Sequence, residues 1–412
     1  MSKPSVRTAV RCALLAACLS TTGTALAAAA EDTVLEEVVV TAQFREEKLQ
    51  ETPIAITAFT AENLEIRGIS NVTDLDQFTP NTVIQPLGAG WGATLAAFIR
   101  GVGLGDNILS FEPGVPIYVD DVYMGRPQGA IFDLLDLERV EVLRGPQGTL
   151  FGKNAVGGTV RLISRKPRGD GSGSASLTYG SFNRLDARAS FDTSLVADRV
   201  FARFSFSSKK ADGYFKVLDY ECINGANSLG DGGEGGPFGS VKLGTQVGPG
   251  SDCVVDTLGN ENVQSARAAF RFLINDAAEF NLIGDVTSQR QKGPADKYTI
   301  IDGTGGFFNA GWNAAIAEPT FGDGIGYDDR FITDSMYTNY SRYGDPFDNR
   351  SFPNINDLQH WGVSGTLEWN LGDNVNLKTV TAYRSFWNKF GRDSDGSPLP
   401  IDGTYDDNRH RQ

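Results

Sequence analysis

The feature that most constrains this chain is an alternation of side-chain type that sets in after the glycine-rich stretch Gly169-Asp170-Gly171-Ser172-Gly173. Leu185, Ala187, Ala189 and Phe191 alternate with Asp186, Arg188, Ser190 and Asp192, so one face is apolar and the other polar. A period of two belongs to a strand, because a helix repeats about every 3.6 residues. The pattern recurs at Ala175/Leu177/Tyr179, Val200/Ala202/Phe204/Phe206, Ala266/Ala268/Phe270/Phe272/Ile274, Phe280/Leu282/Gly284/Val286 and Trp361/Val363/Gly365/Leu367/Trp369, and less cleanly over 375–387. These segments predict seven strands, with an eighth beginning near Tyr405.

Alternation alone also fits a soluble sandwich. The connections separate the two readings. Short turns at 193–198, 275–278 and 371–374 alternate with long excursions at 209–264 and 290–357. Outer-membrane barrels have short periplasmic turns, long outer loops and apolar-out, polar-in strands flanked by aromatic girdles. Tyr179, Phe191, Trp361, Trp369 and Trp387 sit near predicted strand ends, where girdle residues belong. The expected architecture over 173–412 is therefore an antiparallel transmembrane β-barrel, and an incomplete one. Closed single-chain bacterial barrels have an even number of strands, and a sheet left open in lipid strands its backbone polar groups. The sequence stops inside a predicted strand at His410-Arg411-Gln412, so the expectation is a fragment or a truncated gene product.

Between 51 and 168 the reading is a compact α/β domain. Residues 54–59 form a short strand, Thr60 can cap a helix running to Arg67, and Gly68 is placed to end it. Residues 116–123 read as one strand carrying Asp120 and Asp121 at its end. Residues 139–144 alternate before the turn Gly145-Pro146-Gln147-Gly148, and 158–165 alternate again before Pro167.

The first 27 residues have the pattern of a cleaved export signal: Lys3, Arg7 and Arg11, an apolar stretch from Cys12 to Leu19, then Ala25-Leu26-Ala27. Leu15-Ala16-Ala17-Cys18 resembles a lipoprotein box, but Arg11 leaves it little uncharged core. Residues 28–50 read as a charged tether interrupted by one β-branched run, Val38-Val39-Val40-Thr41. Such a run can pair with another protein's sheet edge through its backbone, or serve as an edge strand of the next domain. Once the signal is removed, Cys222 and Cys253 remain in a Gly-rich stretch that passes through an oxidising compartment, so they are a candidate disulfide.

Charge and spacing exclude several function classes. With 51 acidic and 37 basic residues the net charge is −14, which disfavours nucleic acid as a partner. The glycines around Gly148–Lys153 lack the leading Gly and the trailing Ser or Thr of a phosphate loop, and Gly101-Val102-Gly103 is followed by Asp106 where a dinucleotide fingerprint needs Gly. His360 and His410, the two histidines, lie in separate predicted strands. No cofactor, metal site or catalytic constellation is expected.

The motifs, taken in order, resemble the TonB-dependent receptors of Gram-negative outer membranes. Glu36, Glu37, Val38, Val39, Val40, Thr41 and Ala42 look like that family's TonB box. Phe98-Ile99-Arg100-Gly101 resembles its plug signature, as does the run from Leu137 to Gly152, which holds Glu141, Arg144, Gly145, Gly148 and Gly152. Gly157-Gly158-Thr159-Val160 continues that signature into the last plug strand. The resemblance implies a plug domain inside a 22-stranded barrel and active uptake of a scarce ligand, most commonly an iron complex such as a ferric siderophore. Cobalamin, a nickel chelate, haem, an oligosaccharide or an inactive truncated receptor stay open as alternatives. The implied partners are a periplasmic energy-coupling protein that grips residues 36–42, outer-membrane lipid and a small-molecule or metal-chelate ligand, with the receptor itself monomeric. A signalling receptor needs an extra domain before the box, and residues 28–35 cannot hold one. Arg100, Arg144 and Glu141 are expected to face the polar barrel interior, the arginines paired with wall carboxylates or solvated. The loop aromatics Phe307, Phe308, Trp312, Phe321 and Tyr327 are ligand-contact candidates by position, or parts of a mobile acidic surface loop.

Overall fold

The computed structural model describes residues 39–41, 47–87, 93–105, 111–126, 136–225, 228–229, 246–248, 251–297, 299, 313, 326–343, 352–372, 375–393, 396–399 and 403–412. Two short strands, β1 (Val39–Val40) and β2 (Glu47–Lys48), pair antiparallel ahead of the first domain. β3 (Ile56–Thr60) leads into α1 (Ala61–Ile66), whose first turn is capped by the Thr60 hydroxyl accepting from the Asn63 amide. Gly68, at φ +66, takes the left-handed conformation that ends the helix. A 3-10 turn (Val72–Phe78) follows, closed by a reciprocal capping box between Asn71 and Asp74.

β4 (Thr82–Pro86), β5 (Leu95–Ile99) and β6 (Val102–Leu104) form a small antiparallel sheet. The domain's main sheet has the order β3-β9-β10-β7-β8, with β7 at Ile117–Val119, β8 at Val122–Met124, β9 at Leu137–Arg144 and β10 at Gly158–Ser164. One short helix, α2 (Gly148–Phe151), stands between β9 and β10. Val72, Leu75, Ile99, Val140, Val142 and Val160 are fully buried at its centre. The single strand expected at 116–123 is two strands. Asp120 and Asp121 both adopt positive φ, +49 and +65, and make a two-residue turn of the kind whose twist matches a hairpin. Aspartate tolerates this conformation through its short polar side chain, which is why no glycine marks the turn.

The second region is an eight-stranded antiparallel sheet. In chain order come β11 (Gly173–Gly180), β12 (Arg184–Val196) and β13 (Val200–Ala211). β14 (Phe215–Leu218), α3 (Tyr220–Asn224) and β15 (Val254–Leu258) belong to the first long excursion. Then come β16 (Glu261–Asn275), β17 (Ala278–Gln291), β18 (Thr338–Asn339) in the second excursion, β19 (Asn356–Gly372), β20 (Val375–Asp393) and β21 (Gly403–Arg411). The wall order is β11-β12-β13-β16-β17-β19-β20-β21, each strand antiparallel to its neighbours. Its ladders run past the apolar stretches: Lys209, Lys210 and Ala211 still pair with Val263, Asn262 and Glu261, so the excursions start later than the side-chain pattern suggests. Backbone pairing does not require an apolar side chain. The same extension leaves Phe191, Trp361 and Trp387 well inside their strands rather than at the ends.

The burial of the two faces identifies the wall's surroundings. On β13 the polar side chains Arg203, Ser205, Ser207 and Lys209 are buried, while Phe204 and Phe206 are 43% and 47% exposed. On β19 and β20, His360, Ser364, Arg384 and Asn388 are buried while Trp361, Val363 and Tyr383 are exposed. A sandwich buries its apolar faces. This sheet presents its apolar face outward and folds its polar face against the plug, the arrangement of an outer-membrane barrel wall.

In the outer excursions, β15, β14 and β18 make a three-stranded sheet that joins the two long loops. Phe215, Val217 and Leu258 form its core. The sulfurs of Cys222 and Cys253 are bonded beside it, with Cα atoms 5.6 Å apart.

Candidate functional site

The tether meets the plug at Thr41. β1 is held on one edge by β2, with Val39 opposite Lys48 and Val40 opposite Glu47, and Val40 is fully buried. The Thr41 amide donates to Glu141 Oε1 at 2.8 Å, and Arg161 Nη1 donates to the Thr41 carbonyl at 2.6 Å and to its hydroxyl at 2.9 Å. Arg139 Nη2 donates to the same hydroxyl at 2.9 Å. Both backbone polar groups of Thr41 are thus engaged by charged plug side chains.

These side chains come from adjacent strands in register, because Arg161 on β10 stands opposite Glu141 on β9. Arg161 Nη1 reaches Glu141 Oε2 at 2.6 Å and Arg139 Nε reaches Glu141 Oε1 at 2.8 Å. Glu141 is 0% exposed and Arg161 3%. A carboxylate buried this deeply is tolerable only with cations and donors filling its oxygens, and here they do. Glu141 therefore does not face the barrel interior as expected; it lies inside the plug under the tether.

The network continues outward to the wall. Arg161 Nη2 donates to Asp121 Oδ1 at 2.6 Å, and Lys378 of β20 approaches Asp121 Oδ2 at 2.8 Å. Burial by itself would raise the Asp121 carboxyl, but the Arg161 and Lys378 cations hold it below its ordinary range. Lys378 also contacts Glu368 at 3.1 Å, and Lys166, just after β10, bridges Glu368 and Glu279. A cavity of about 550 Å³ opens beside this network, lined among others by Thr41, Asp121, Arg139, Arg161 and Lys378.

Three further contacts fix plug to wall. Arg203 of β13 donates to Asp136 at 2.6 and 2.7 Å and pairs with Asp192 at 3.4 Å. Arg267 of β16 pairs with Asp120, which also accepts from the Ser164 amide at 2.9 Å. Gln412 donates from Nε2 to the Tyr123 carbonyl at 2.6 Å and accepts from the Gly125 amide at 3.0 Å. The expected polarity, plug arginines on wall carboxylates, is reversed at the first two: plug aspartates meet wall cations. Arg100 lies on an exposed turn, and among the described residues neither it nor Arg144 enters an ion pair.

The remaining signature residues act through the backbone. A Cβ on Gly157 would stand 2.3 Å from the Val102 carbonyl oxygen, and one on Gly158 the same distance from the Leu143 carbonyl oxygen, so only glycine lets β10 start this close to its neighbours. Gly145 lies under the Arg100 guanidinium, Gly101 completes the Arg100 turn, Gly148 opens α2 and Gly152 follows it. Glu36, Glu37, Val38 and Ala42 lie outside the described residues, as do Phe307, Phe308, Trp312 and Phe321. Tyr327 packs against Phe331 with ring centroids 6.5 Å apart, and its backbone is held by the Asn313 amide. Sequence reasoning missed Arg161, Arg203, Arg267 and Lys378. The signal available was parity at Arg203 and Arg267, which fall on the polar, inward face of their strands; Lys378 shares its face with Val380, Ala382 and Phe386, so parity does not mark it.

A family model described as the TonB-dependent receptor plug domain matches residues 48–159. The chain belongs to the TonB-dependent receptor family. Relatives of this receptor include the iron-regulated outer membrane virulence protein of Vibrio cholerae serotype O1, 31% identical over 147 residues that make up 35% of this chain and 22% of that one. The ferrioxamine B receptor of Salmonella typhimurium is 31% identical over 178 residues, 42% of this chain and 24% of that one. The receptor thus spans about a quarter of the length of the relatives it matches. Among solved structures, the ferripyoverdine receptor of the outer membrane of Pseudomonas aeruginosa superposes with a TM-score of 0.57 at 15% identity, covering 90% of this chain and 40% of that one. That likeness concerns the fold, a plug followed by an antiparallel barrel wall. The family is one of transporters and receptors rather than enzymes.

Proposed function

We propose that this receptor, exported behind its cleaved signal over residues 1–27, sits in the outer membrane and takes up a ferric siderophore or similar iron complex. Uptake is driven by a periplasmic coupling protein that captures residues 36–42 by strand addition. The observation that carries this reading is the docked tether. A β-branched strand is held on the plug by reversible polar contacts, on a plug that is itself bonded to a membrane wall. The iron cargo is supported by relatives named for iron regulation and for ferrioxamine B.

The test is growth of an iron-starved host lacking its own receptors and carrying the complete gene. Ferric siderophores are supplied one at a time, with cobalamin and oligosaccharides in parallel. Growth on a ferric siderophore that disappears with Val40→Pro supports the reading, since proline removes the backbone donor that strand addition uses. Growth only on cobalamin or an oligosaccharide replaces the iron cargo, and growth indifferent to Val40→Pro removes the coupling step.

A further inference from the structure

We propose that the Asp120–Asp121 turn reads the barrel wall at two points and that Arg161 is the positioning residue through which it keeps the Thr41 segment docked. The inference rests on the transport reading above and names the regulation of the same site.

Three observations carry it. First, the turn is clamped from two separate parts of the wall: Asp120 by Arg267 on β16 and Asp121 by Lys378 on β20, with β17 and β19 lying between those strands. The two adjacent residues at positive φ aim their carboxylates at different partners, so a shift of one wall strand against the other is felt at this turn.

Second, one guanidinium spans the gap between turn and tether. Arg161 gives Nη2 to Asp121 and Nη1 to Glu141 and to the Thr41 carbonyl and hydroxyl. The guanidinium fork is planar and rigid, so a displacement at its Asp121 end turns the end that holds Thr41. The Phe151 ring lies 5.6 Å from its central carbon, against one side of the fork.

Third, the contacts that would be lost are those that block capture. Strand addition needs free backbone donors and acceptors. The Thr41 amide is on Glu141, its carbonyl is on Arg161, and β1 is paired to β2. The segment becomes available to a partner strand only when the Arg161 and Glu141 contacts open.

The experiment uses the full-length receptor in outer-membrane vesicles with a nitroxide on Val39→Cys, a position 44% exposed on the docked strand. The line shape reports docking without cargo or coupling protein. Arg161→Gln should raise the mobile fraction about tenfold, the loss expected for charge-assisted hydrogen bonds. Asp121→Asn and Lys378→Gln should raise it by a smaller factor. Arg203→Gln removes comparable plug-to-wall bonds at Asp136 and should leave the label immobile. An immobile label in Arg161→Gln overturns the proposal, as does equal mobilisation by Arg203→Gln, which would mean general loosening of the plug. If Arg161→Gln fails to assemble, Lys378→Gln decides: a raised mobile fraction supports the relay and an unchanged one overturns it. A receptor that shows these changes yet transports no iron complex contradicts the proposed function and leaves this inference standing.

Discussion

In the plug, β9 and β10 turn Val140, Val142, Val160 and Leu162 into a core where none is more than 2% exposed; in the wall, β13 turns Phe204 and Phe206 outward and buries Arg203, Ser205, Ser207 and Lys209. Both regions follow the same two-residue alternation. The difference lies in what each face meets. The plug strands pack a valine face on α1 and the 3-10 turn and cover their charged face with the tether, so both faces are lost to water. The wall strands leave their apolar face exposed and set the other against a polar plug, so their charged face is the packed one. Alternation therefore says that two environments exist, and the connections and partners say which is which.

The sharpest way to break the comparison is a charge on each apolar face. Val142→Asp puts an unpaired carboxylate into the plug core and should cost on the order of 5 kcal/mol. Protease digestion of assembled receptor should then remove the plug and leave the wall. A plug that stays protected would mean that its core is not the dry interior described here.

Next in size is the polar contact between the two regions. Arg203→Gln leaves Asp136 and Asp192 without their shared cation in a buried setting, and removal of one partner from such a cluster costs about 3 kcal/mol. The expected result is release of the plug at lower urea concentration, with a smaller loss in the wall, where Asp192 and Ser190 of β12 also lose their bonds to Arg203. Unchanged plug release would show that the bridge is a solvated surface pair.

Phe206→Arg tests the outer face. On a lipid-facing strand an arginine costs about 2–4 kcal/mol at mid-depth, whereas on a face in water it costs close to nothing. Folding into lipid vesicles should therefore drop in yield or in urea midpoint. A neutral result would place this face in water and return the wall to the sandwich class.

Much of this was legible in the sequence, for reasons that also explain what was not. The wall strands announce themselves because side-chain parity is a local property, and α1 because Thr60 and Gly68 bracket it. The turn at Asp120 and Asp121 was hidden because it uses aspartates where glycine or asparagine usually marks such a turn. Parity marks Arg203 and Arg267 as residues of the polar face without saying what they touch, and the mixed face of β20 leaves Lys378 unmarked. Their partners are chosen by tertiary packing: Arg267 meets a residue 147 positions away, and Thr41 meets one 100 positions away. The same holds for Arg100 and Arg144, whose residue type suggested ion pairs that the described part of the wall does not provide.

The smallest effect expected concerns the one place where tether, plug and wall meet. Asp121 faces Arg161 from β10 and Lys378 from β20, with Glu141 behind the first and Glu368 behind the second, Asp120 beside it in the turn and Tyr118 on the neighbouring strand. Its carboxyl is held below the ordinary value of 3.8 by those two cations. A carboxylate depressed in this way contributes stability that is complete above its unfolded value and is lost as pH falls through its folded one. The nitroxide on Val39→Cys should therefore keep one line shape from pH 8 down to about 4 and loosen only in more acid solution, and Asp121→Asn should remove that acid step. If loosening begins near pH 6 instead, a group of higher pKa controls the docked tether, and the wall is not read through Asp121.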